Sequence, residues 1–133
     1  MIDKEIFKFA FDTKNFGFLK NYTHFSKSKK SICGDEMKIY LIIKNNKIKE
    51  FKYDLNACVY CQASLSLISK VSKNKSVKKV KIFIEKAETF FDNKNNSFIK
   101  DWKVFQKIMN KKNVSRKECL MLPLKTTLKA FNN

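Results

Sequence analysis

Residues 36–54, EMKIYLIIKNNKIKEFKYD, decide the fold, because they contain two strand patterns joined by a tight turn. Residues 36–44 are rich in β-branched and aromatic side chains, which favours a strand. Residues 47–54 alternate between polar and apolar side chains, which predicts a second strand with one buried face. Asn45 and Asn46 tolerate the positive φ angles of a two-residue hairpin loop. The stretch therefore predicts an antiparallel hairpin.

The chain before this hairpin predicts one more strand and one short helix. Residues 21–32 alternate weakly, as in an edge strand, and complete an antiparallel meander over residues 21–55. Residues 3–11 predict a helix that Asp3 caps. Residues 15–17 (Asn-Phe-Gly) predict a turn.

The chain after the hairpin predicts helices, because its apolar side chains recur three or four residues apart. The predicted helices are 59–72, 77–91 with Ser76 as its cap, 97–109, and 119–131 with Pro123 near its first turn. No internal repeat is visible. We therefore expect residues 1–133 to form a single α+β domain, a small three-stranded antiparallel sheet with helices packed on one face.

The composition favours a soluble globular protein. The chain has 133 residues, 44% of them hydrophobic, with 13 Phe but only 2 Gly and 1 Pro. No apolar run reaches the roughly 18–20 residues that cross a bilayer. The first five residues include Asp3 and Glu5 and do not resemble a signal peptide. We therefore expect a cytoplasmic protein without a membrane partner.

The formal net charge of +17 by itself suggests a polyanionic partner. However, Arg116 is the only arginine, and the lysines are spread along the whole chain. Bidentate recognition of bases and phosphates favours arginine over lysine. We therefore do not expect nucleic acid as a partner and interpret most lysines as solvated surface residues. The charge could also steer the chain toward an acidic protein.

Three cysteines and one aspartate lie at the predicted ends of strands and helices. Cys33 is followed by Gly34, which frees the backbone, and by Asp35. Cys58 lies between the third strand and the first long helix, and Cys119 lies near the start of the last helix. Helix N-termini favour negative charge and lower the pKa of a thiol. If the fold brings these residues together, they form a thiolate-rich site for zinc or an iron–sulfur cluster.

The remaining polar candidates carry weaker signals. Cys61 forms a Cys-x-x-Cys pair with Cys58, and we expect it in the core, with an auxiliary ligand or a redox partner as alternatives. His24 is expected to be a strand residue without a special role. Ser64 and Ser66 have no visible base partner, so the sequence does not support a serine nucleophile.

In order along the chain, five motifs resemble those of the NifU/IscU/SufU-type iron–sulfur cluster assembly scaffolds. They are Asn15-Phe16-Gly17, Cys33-Gly34-Asp35-Glu36-Met37-Lys38-Ile39, Cys58-x-x-x-x-Ala63-Ser64-x-Ser66, Asn74-Lys75-Ser76 and Arg116-Lys117-Glu118-Cys119-x-x-Leu122. The resemblance covers residues 11–131. It looks closest to the SufU branch, because residues 90–114 resemble the extra segment of that branch and residues 119–125 resemble its Cys-x-x-Leu-x-x-Lys run.

The resemblance implies a function and a site. It implies an IscU/SufU-like fold and a metal or cluster site formed by Cys33, Asp35, Cys58 and Cys119, with Cys33 as the candidate persulfide acceptor. SufU-type members bind zinc and accept sulfur from a cysteine desulfurase, whereas IscU-type members assemble a [2Fe–2S] cluster. The expected partners are a desulfurase and downstream cluster carriers or apo-proteins. Such a chain is a scaffold or sulfur acceptor rather than a conventional enzyme.

Two other classes stay open at this point. One is a zinc-stabilised basic module that binds nucleic acid. The other is a member of the family without transfer activity, because Ala57 replaces the usual glycine before the second cysteine and Glu118 replaces the IscU-type histidine. Cys61 also stands where family members usually have a small residue.

Overall fold

The structure is a computed structural model, which describes residues 3–30, 34–92 and 100–132. Four α-helices, three strands and three 3₁₀ segments follow one another in the described residues. They are α1 (Lys4–Ala10), β1 (His24–Lys30), β2 (Asp35–Lys44), β3 (Lys47–Asn56), α2 (Val59–Val71), α3 (Val77–Ala87), the 3₁₀ segments Glu88–Asp92, Lys100–Lys107 and Lys111–Arg116, and α4 (Lys117–Ala130).

The predicted meander is confirmed, since the sheet has the order β1-β2-β3 and both pairs are antiparallel. Asn45 and Asn46 have φ angles of 53° and 62°, as the two-residue hairpin loop requires. In the register of the hairpin, Glu36 pairs with Asn56. Asp35, at the start of β2, therefore lies beside the point where the chain leaves β3 for α2.

Helix α2 is the centre of the core. Its residues from Tyr60 to Ser69 are buried except Gln62, because α1, α4 and β3 all pack around it. Helix α4 also packs against β1 and β2. The sheet and its helices confirm the predicted α+β class.

The helix predicted over residues 77–91 is shorter than expected. Ser76 is its N-cap, as predicted, and the Oγ atom of Ser76 accepts the Lys79 N–H at 3.1 Å. The α-helix ends at Ala87 and a 3₁₀ segment continues to Asp92. Phe91 is buried, as the predicted apolar face requires.

The segment predicted as an α-helix over residues 97–109 is a 3₁₀ helix where the structure describes it, from Lys100 to Lys107. Side chains three residues apart eclipse each other in a 3₁₀ helix. Trp102 and Phe105 have this spacing, and both rings contact Phe83, with centroid distances of 4.3 and 4.7 Å. Packing on Phe83 explains why this segment departs from the α-helical period.

The last helix begins two residues earlier than predicted, at Lys117. The prediction that Pro123 lies near its first turn is therefore wrong, because Pro123 falls in the second turn. A proline has no N–H to donate to the carbonyl four residues before it. In α4 that carbonyl belongs to Cys119. The position of Pro123 therefore affects the hydrogen bonding of a candidate metal ligand.

Candidate metal centre

The start of α2 lies against the Asp35 side chain. Cys58 is the N-cap residue of this helix, as the predicted strand–helix junction requires. Asp35 is only 2% exposed, and its Oδ1 atom accepts the Cys58 N–H at 2.9 Å. Helix N-termini present unsatisfied N–H groups and favour negative charge. The helix thus holds the carboxylate beside the Cys58 thiol.

Gly34, directly before Asp35, has a φ angle of 68°, a left-handed conformation that side chains rarely adopt. None of the described residues lies within 4 Å of a Cβ built at this position. The glycine is therefore needed for its backbone conformation, as expected from the freedom that it gives the chain at this point.

Cys61 lies one helical turn after Cys58, and its side chain is fully buried. Its Sγ atom lies 3.4 Å from Asp35 Oδ2 and 3.2 Å from the Cys119 carbonyl oxygen, and both oxygens are acceptors for its single S–H proton. Pro123 has no N–H to donate to that carbonyl. The Cys61 thiol can donate to it instead, where an ordinary helix has a backbone N–H. Cys61 thereby connects β2, α2 and α4.

One oxygen and three sulfur donors come together here. The ligand atoms of Asp35, Cys58, Cys61 and Cys119 all lie within 4.8 Å of one another. Donor atoms around a tetrahedral zinc ion are about 3.8 Å apart, given Zn–S bonds of about 2.3 Å. A contraction of about 1 Å would therefore place the four donors around a metal ion. The donor set suits zinc or iron, which thiolates bind well.

The thiols of the site differ in acidity. The pKa of Cys58 is lowered to about 6, chiefly by a hydrogen bond from the Cys61 thiol and also by the Cys61 N–H and the Cys119 thiol, while burial opposes the shift. The pKa of Cys61 is raised far above its ordinary value, because its thiol donates to the Cys58 sulfur and is buried. Without a metal, Cys58 is therefore a thiolate near neutral pH and Cys61 keeps its proton.

The neighbouring polar residues serve the packing. The hydroxyls of Ser64 and Ser66 donate to the carbonyls of Leu120 and Asp12, at 2.7 and 2.8 Å. Arg116 stacks its guanidinium over the Tyr60 ring, at 5.1 Å from the centroid.

His24 hydrogen-bonds the Thr23 hydroxyl at the start of β1, with 2.8 Å between Nδ1 and Oγ1. It does not belong to the group of possible metal ligands found in the described residues.

The structure brings together three of the four residues that the resemblance implies as ligands, Asp35, Cys58 and Cys119. The fourth, Cys33, lies outside the described residues. Cys61 is buried, as predicted for a core residue, but its thiol also belongs to the donor group, which the core interpretation did not predict. The Cys-x-x-Cys spacing at a helix start was the signal for it, since residues three apart share one face of a helix.

Ala57 does not strain the loop before Cys58. Among the described residues other than glycine, positive φ angles occur at Asn45, Asn46 and Asn74. The loop therefore accepts alanine at position 57 without a left-handed conformation.

Comparison with known proteins identifies the family. Residues 1–121 match the sequence profile of the NifU-like N-terminal domain. The chain belongs to the NifU-like N-terminal domain family. This confirms the resemblance to the NifU/IscU/SufU type and the predicted class of function, iron–sulfur cluster assembly.

One relative and two solved structures are similar to this chain over most of its length. The iron–sulfur cluster assembly scaffold protein IscU of Thermotoga maritima is 29% identical, over 98% of this chain and 92% of that protein. A crystal structure from Fervidobacterium islandicum AW-1, of a protein described as a scaffold for the SUF system, is 23% identical, with a TM-score of 0.84 over 97% of this chain and 95% of that one. A NifU-like protein from Brucella abortus is 16% identical, with a TM-score of 0.82 over 98% and 91% of the two chains.

The two solved structures show the fold of the NifU-like domain, and the SufU branch stays a prediction. In the part of the chain that the structure describes, no helix has the length and apolar character needed to cross a membrane.

Proposed function

We propose that this chain receives sulfur from a cysteine desulfurase in the cytoplasm and assembles it with iron into a [2Fe–2S] cluster. The proposed ligands are Cys33, Asp35, Cys58 and Cys119. One observation carries the proposal: thiols from two helices and a buried carboxylate meet at the start of α2, with all donor atoms of the described group within 4.8 Å. The cluster is cargo, which downstream carriers or apo-proteins then receive.

Sulfur acceptance needs a thiolate as nucleophile. The thiolate attacks the outer sulfur of the persulfide on the desulfurase, a new S–S bond forms on this chain, and the cysteine of the desulfurase leaves as a thiolate. Cys33 is the proposed acceptor. The lowered pKa of Cys58 supports thiolate chemistry at the same site.

Cluster formation also needs electrons. Two sulfane sulfurs take up four electrons to become two sulfides. Two Fe(II) ions give one electron each on oxidation to Fe(III), and a reductant of the thiol or ferredoxin class must supply the other two. Two of these electrons break the S–S bond of each Cys33 persulfide, which releases sulfide and returns Cys33 as a thiolate. Cys33 can then act as a ligand together with the other residues of the site.

A zinc-bound sulfur acceptor is the second candidate, because three sulfurs and one oxygen also form a four-donor zinc site. In that form zinc would be held by residues of the same site, and it would stabilise thiolates there. The chain would then pass on persulfide sulfur rather than a finished cluster.

Metal analysis separates the two forms. We would purify the full chain anaerobically and aerobically and measure zinc, iron, acid-labile sulfide and visible absorption. Iron and sulfide in equal amounts, with a coloured protein, support cluster assembly, whereas about one zinc per chain in a colourless protein supports the sulfur acceptor. A folded chain that takes up neither metal would reject the site.

A further inference from the structure

We infer that Cys58 and Cys61 form a redox-active dithiol, which reduces persulfide sulfur to sulfide and becomes a Cys58–Cys61 disulfide. The proposed metal ligands stay unchanged, and Cys61 is not one of them. The inference deepens the proposed function by naming a source of electrons for the release of sulfide. It rests on that proposal for the supply of persulfide sulfur and on the geometry of the pair for the reaction.

The two cysteines occupy the first turn of α2. Cys58 is the N-cap residue and Cys61 follows it three positions later, so their side chains lie on one face of the helix. Helix geometry places Cα atoms three residues apart about 5 Å from each other. Disulfides bridge Cα atoms that are about 4.4–6.8 Å apart. Because the two sulfur atoms already lie within 4.8 Å of each other, a disulfide can form by rotation of the side chains.

The two thiols differ in their access to solvent. Cys58 is partly exposed, whereas Cys61 is fully buried. An incoming persulfide can therefore reach the Cys58 sulfur, while the Cys61 sulfur meets only what Cys58 already carries. Thiol–disulfide exchange on a Cys-x-x-Cys pair uses this division, because an outer thiol takes up the substrate and an inner thiol then breaks the bond that has formed.

The Asp35 carboxylate can accept the proton of the inner thiol. A thiol attacks as its thiolate, so Cys61 must give up its proton when it reacts. Its Sγ atom lies 3.4 Å from Asp35 Oδ2, and the carboxylate is only 2% exposed. None of the ion pairs found among the described residues includes Asp35, so no cation of these pairs competes for it. The geometry therefore lets Oδ2 take the Cys61 proton as the new S–S bond forms.

The reaction has two steps. The Cys58 thiolate first attacks the outer sulfur of a persulfide, so that a persulfide forms on Cys58 and the donor leaves as a thiolate. Cys61 then gives its proton to Asp35, and its sulfur attacks the Cys58 Sγ atom. The S–S bond of the persulfide breaks, sulfide leaves, and a Cys58–Cys61 disulfide remains. The two thiols together lose two electrons, and the sulfane sulfur gains them.

This chemistry releases sulfide at the start of α2, beside the proposed metal ligands. Cys58 cannot bind a metal as a thiolate while it belongs to the disulfide. A dithiol reductant from outside the chain must therefore reduce the disulfide by exchange before Cys58 can act as a ligand. Release of sulfide and binding of metal through Cys58 thus follow one another in time.

The test follows the added sulfur on the metal-free, fully reduced chain. We would treat the wild type and Cys61→Ser anaerobically with glutathione persulfide, remove the excess donor by gel filtration, and measure the sulfide that each protein then releases. Mass spectrometry after blocking and digestion shows which cysteine carries the extra sulfur and which two form a disulfide. The wild type treated in the same way without the donor is the control. Circular dichroism and the fluorescence of the buried Trp102 show whether the variant is folded.

We expect the wild type to release the extra sulfur as sulfide and to form a matching amount of Cys58–Cys61 disulfide, while the chain without donor stays reduced. In Cys61→Ser the persulfide should persist on Cys58, and the release of sulfide should slow at least about tenfold, because the inner thiol is missing. Equal release by both proteins would overturn the inference, and so would a wild-type persulfide that persists while Cys61 stays reduced.

The disulfide map of the wild type decides the matter if Cys61→Ser does not fold. A Cys58–Cys61 disulfide that forms together with sulfide supports the inference, and a disulfide between any other two cysteines contradicts it. Failure of the proposed function looks different, since the wild type would then react with glutathione persulfide but take no sulfur from a desulfurase. Failure of the inference alone would leave uptake from the desulfurase intact, with Cys61 reduced throughout.

Discussion

The described site has four candidate ligands, and Asp35 is the one that offers an oxygen atom, while the three cysteines offer sulfur. A carboxylate is a hard ligand and holds zinc or iron less firmly than a thiolate does. In the fold it also accepts the Cys58 N–H, so the residue connects the metal site to the start of α2. We therefore expect a weak ligand at this position to let bound metal or cluster leave.

Replacing Asp35 by cysteine should therefore strengthen retention and slow delivery. We expect Asp35→Cys to hold iron or zinc more tightly against a chelator, and to transfer sulfur or cluster to an acceptor more slowly. The measurements are metal release in chelator and transfer to an apo-ferredoxin. Asp35→Glu, which keeps the carboxylate, is the matched control. Unchanged transfer by Asp35→Cys would disprove this role of Asp35.

The acidity of Cys58 predicts a pH dependence of the metal-free protein. Its pKa of about 6 keeps the thiol ionised at neutral pH, where an ordinary cysteine is mostly protonated. Alkylation of Cys58 should therefore rise up to about pH 7 and then level off, whereas in denaturant it should keep rising toward pH 9. Mass spectrometry after short exposure to iodoacetamide measures each cysteine separately.

The same shift links stability to pH. Because the pKa of Cys58 is lower in the folded chain, the folded state binds fewer protons between about pH 6 and pH 9. The contribution of Cys58 is therefore complete above pH 9 and is lost as the pH falls toward 6. Equal alkylation profiles in the folded and unfolded chain would contradict both statements.

At the scale of elements, the N-cap of α3 is a local feature that the sequence predicts and the structure contains. Ser76 Oγ accepts the Lys79 N–H at 3.1 Å. Removing such a cap costs about 1 kcal/mol. We expect Ser76→Ala to lower the free energy of unfolding by about this amount in urea, followed by Trp102 fluorescence.

The control for this variant is Ser115→Ala, which changes an exposed serine in a 3₁₀ segment. We expect it to leave the midpoint of unfolding nearly unchanged. A loss of the same size in both variants would mean that the cap of α3 contributes nothing of its own.

Elements with a strong local signal could be predicted from the sequence. Asn45 and Asn46 mark the hairpin, and Ser76 marks the start of α3, because turns and caps depend on residues close together in the chain. The 3₁₀ helix at Trp102 could not be predicted in the same way. Its form depends on contacts with Phe83, which belongs to another element.

In the site, too, some features follow from local sequence and others depend on how distant elements pack. The positions of Asp35, Cys58 and Cys119 at the ends of predicted strands and helices follow from local pattern. The inclusion of Cys61 depends on how α4 lies against α2, since the Cys119 carbonyl and the Asp35 carboxylate both face its sulfur. A single sequence contains no direct record of that packing.

At the scale of the whole molecule, the charge of +17 predicts attraction to an acidic protein. Lysines spread over a surface attract an acidic protein over about 10 Å at ordinary salt and do not require a fixed geometry. The single arginine stacks on Tyr60 beside the site. This arrangement agrees better with docking to an acidic protein than with reading nucleic acid.

We propose above all that this chain accepts sulfur from a cysteine desulfurase and assembles it with separately supplied iron. The most direct test is anaerobic incubation of the metal-free chain with a cysteine desulfurase, cysteine, Fe(II) and a thiol reductant, followed by iron and sulfide analysis of the re-isolated chain. We predict desulfurase-dependent uptake of iron and sulfide in equal amounts by the wild type, and its loss in a folded Cys58→Ser, Cys119→Ser double variant. A folded wild type that takes up neither sulfur nor iron, or a double variant that takes up as much as the wild type, would contradict the account.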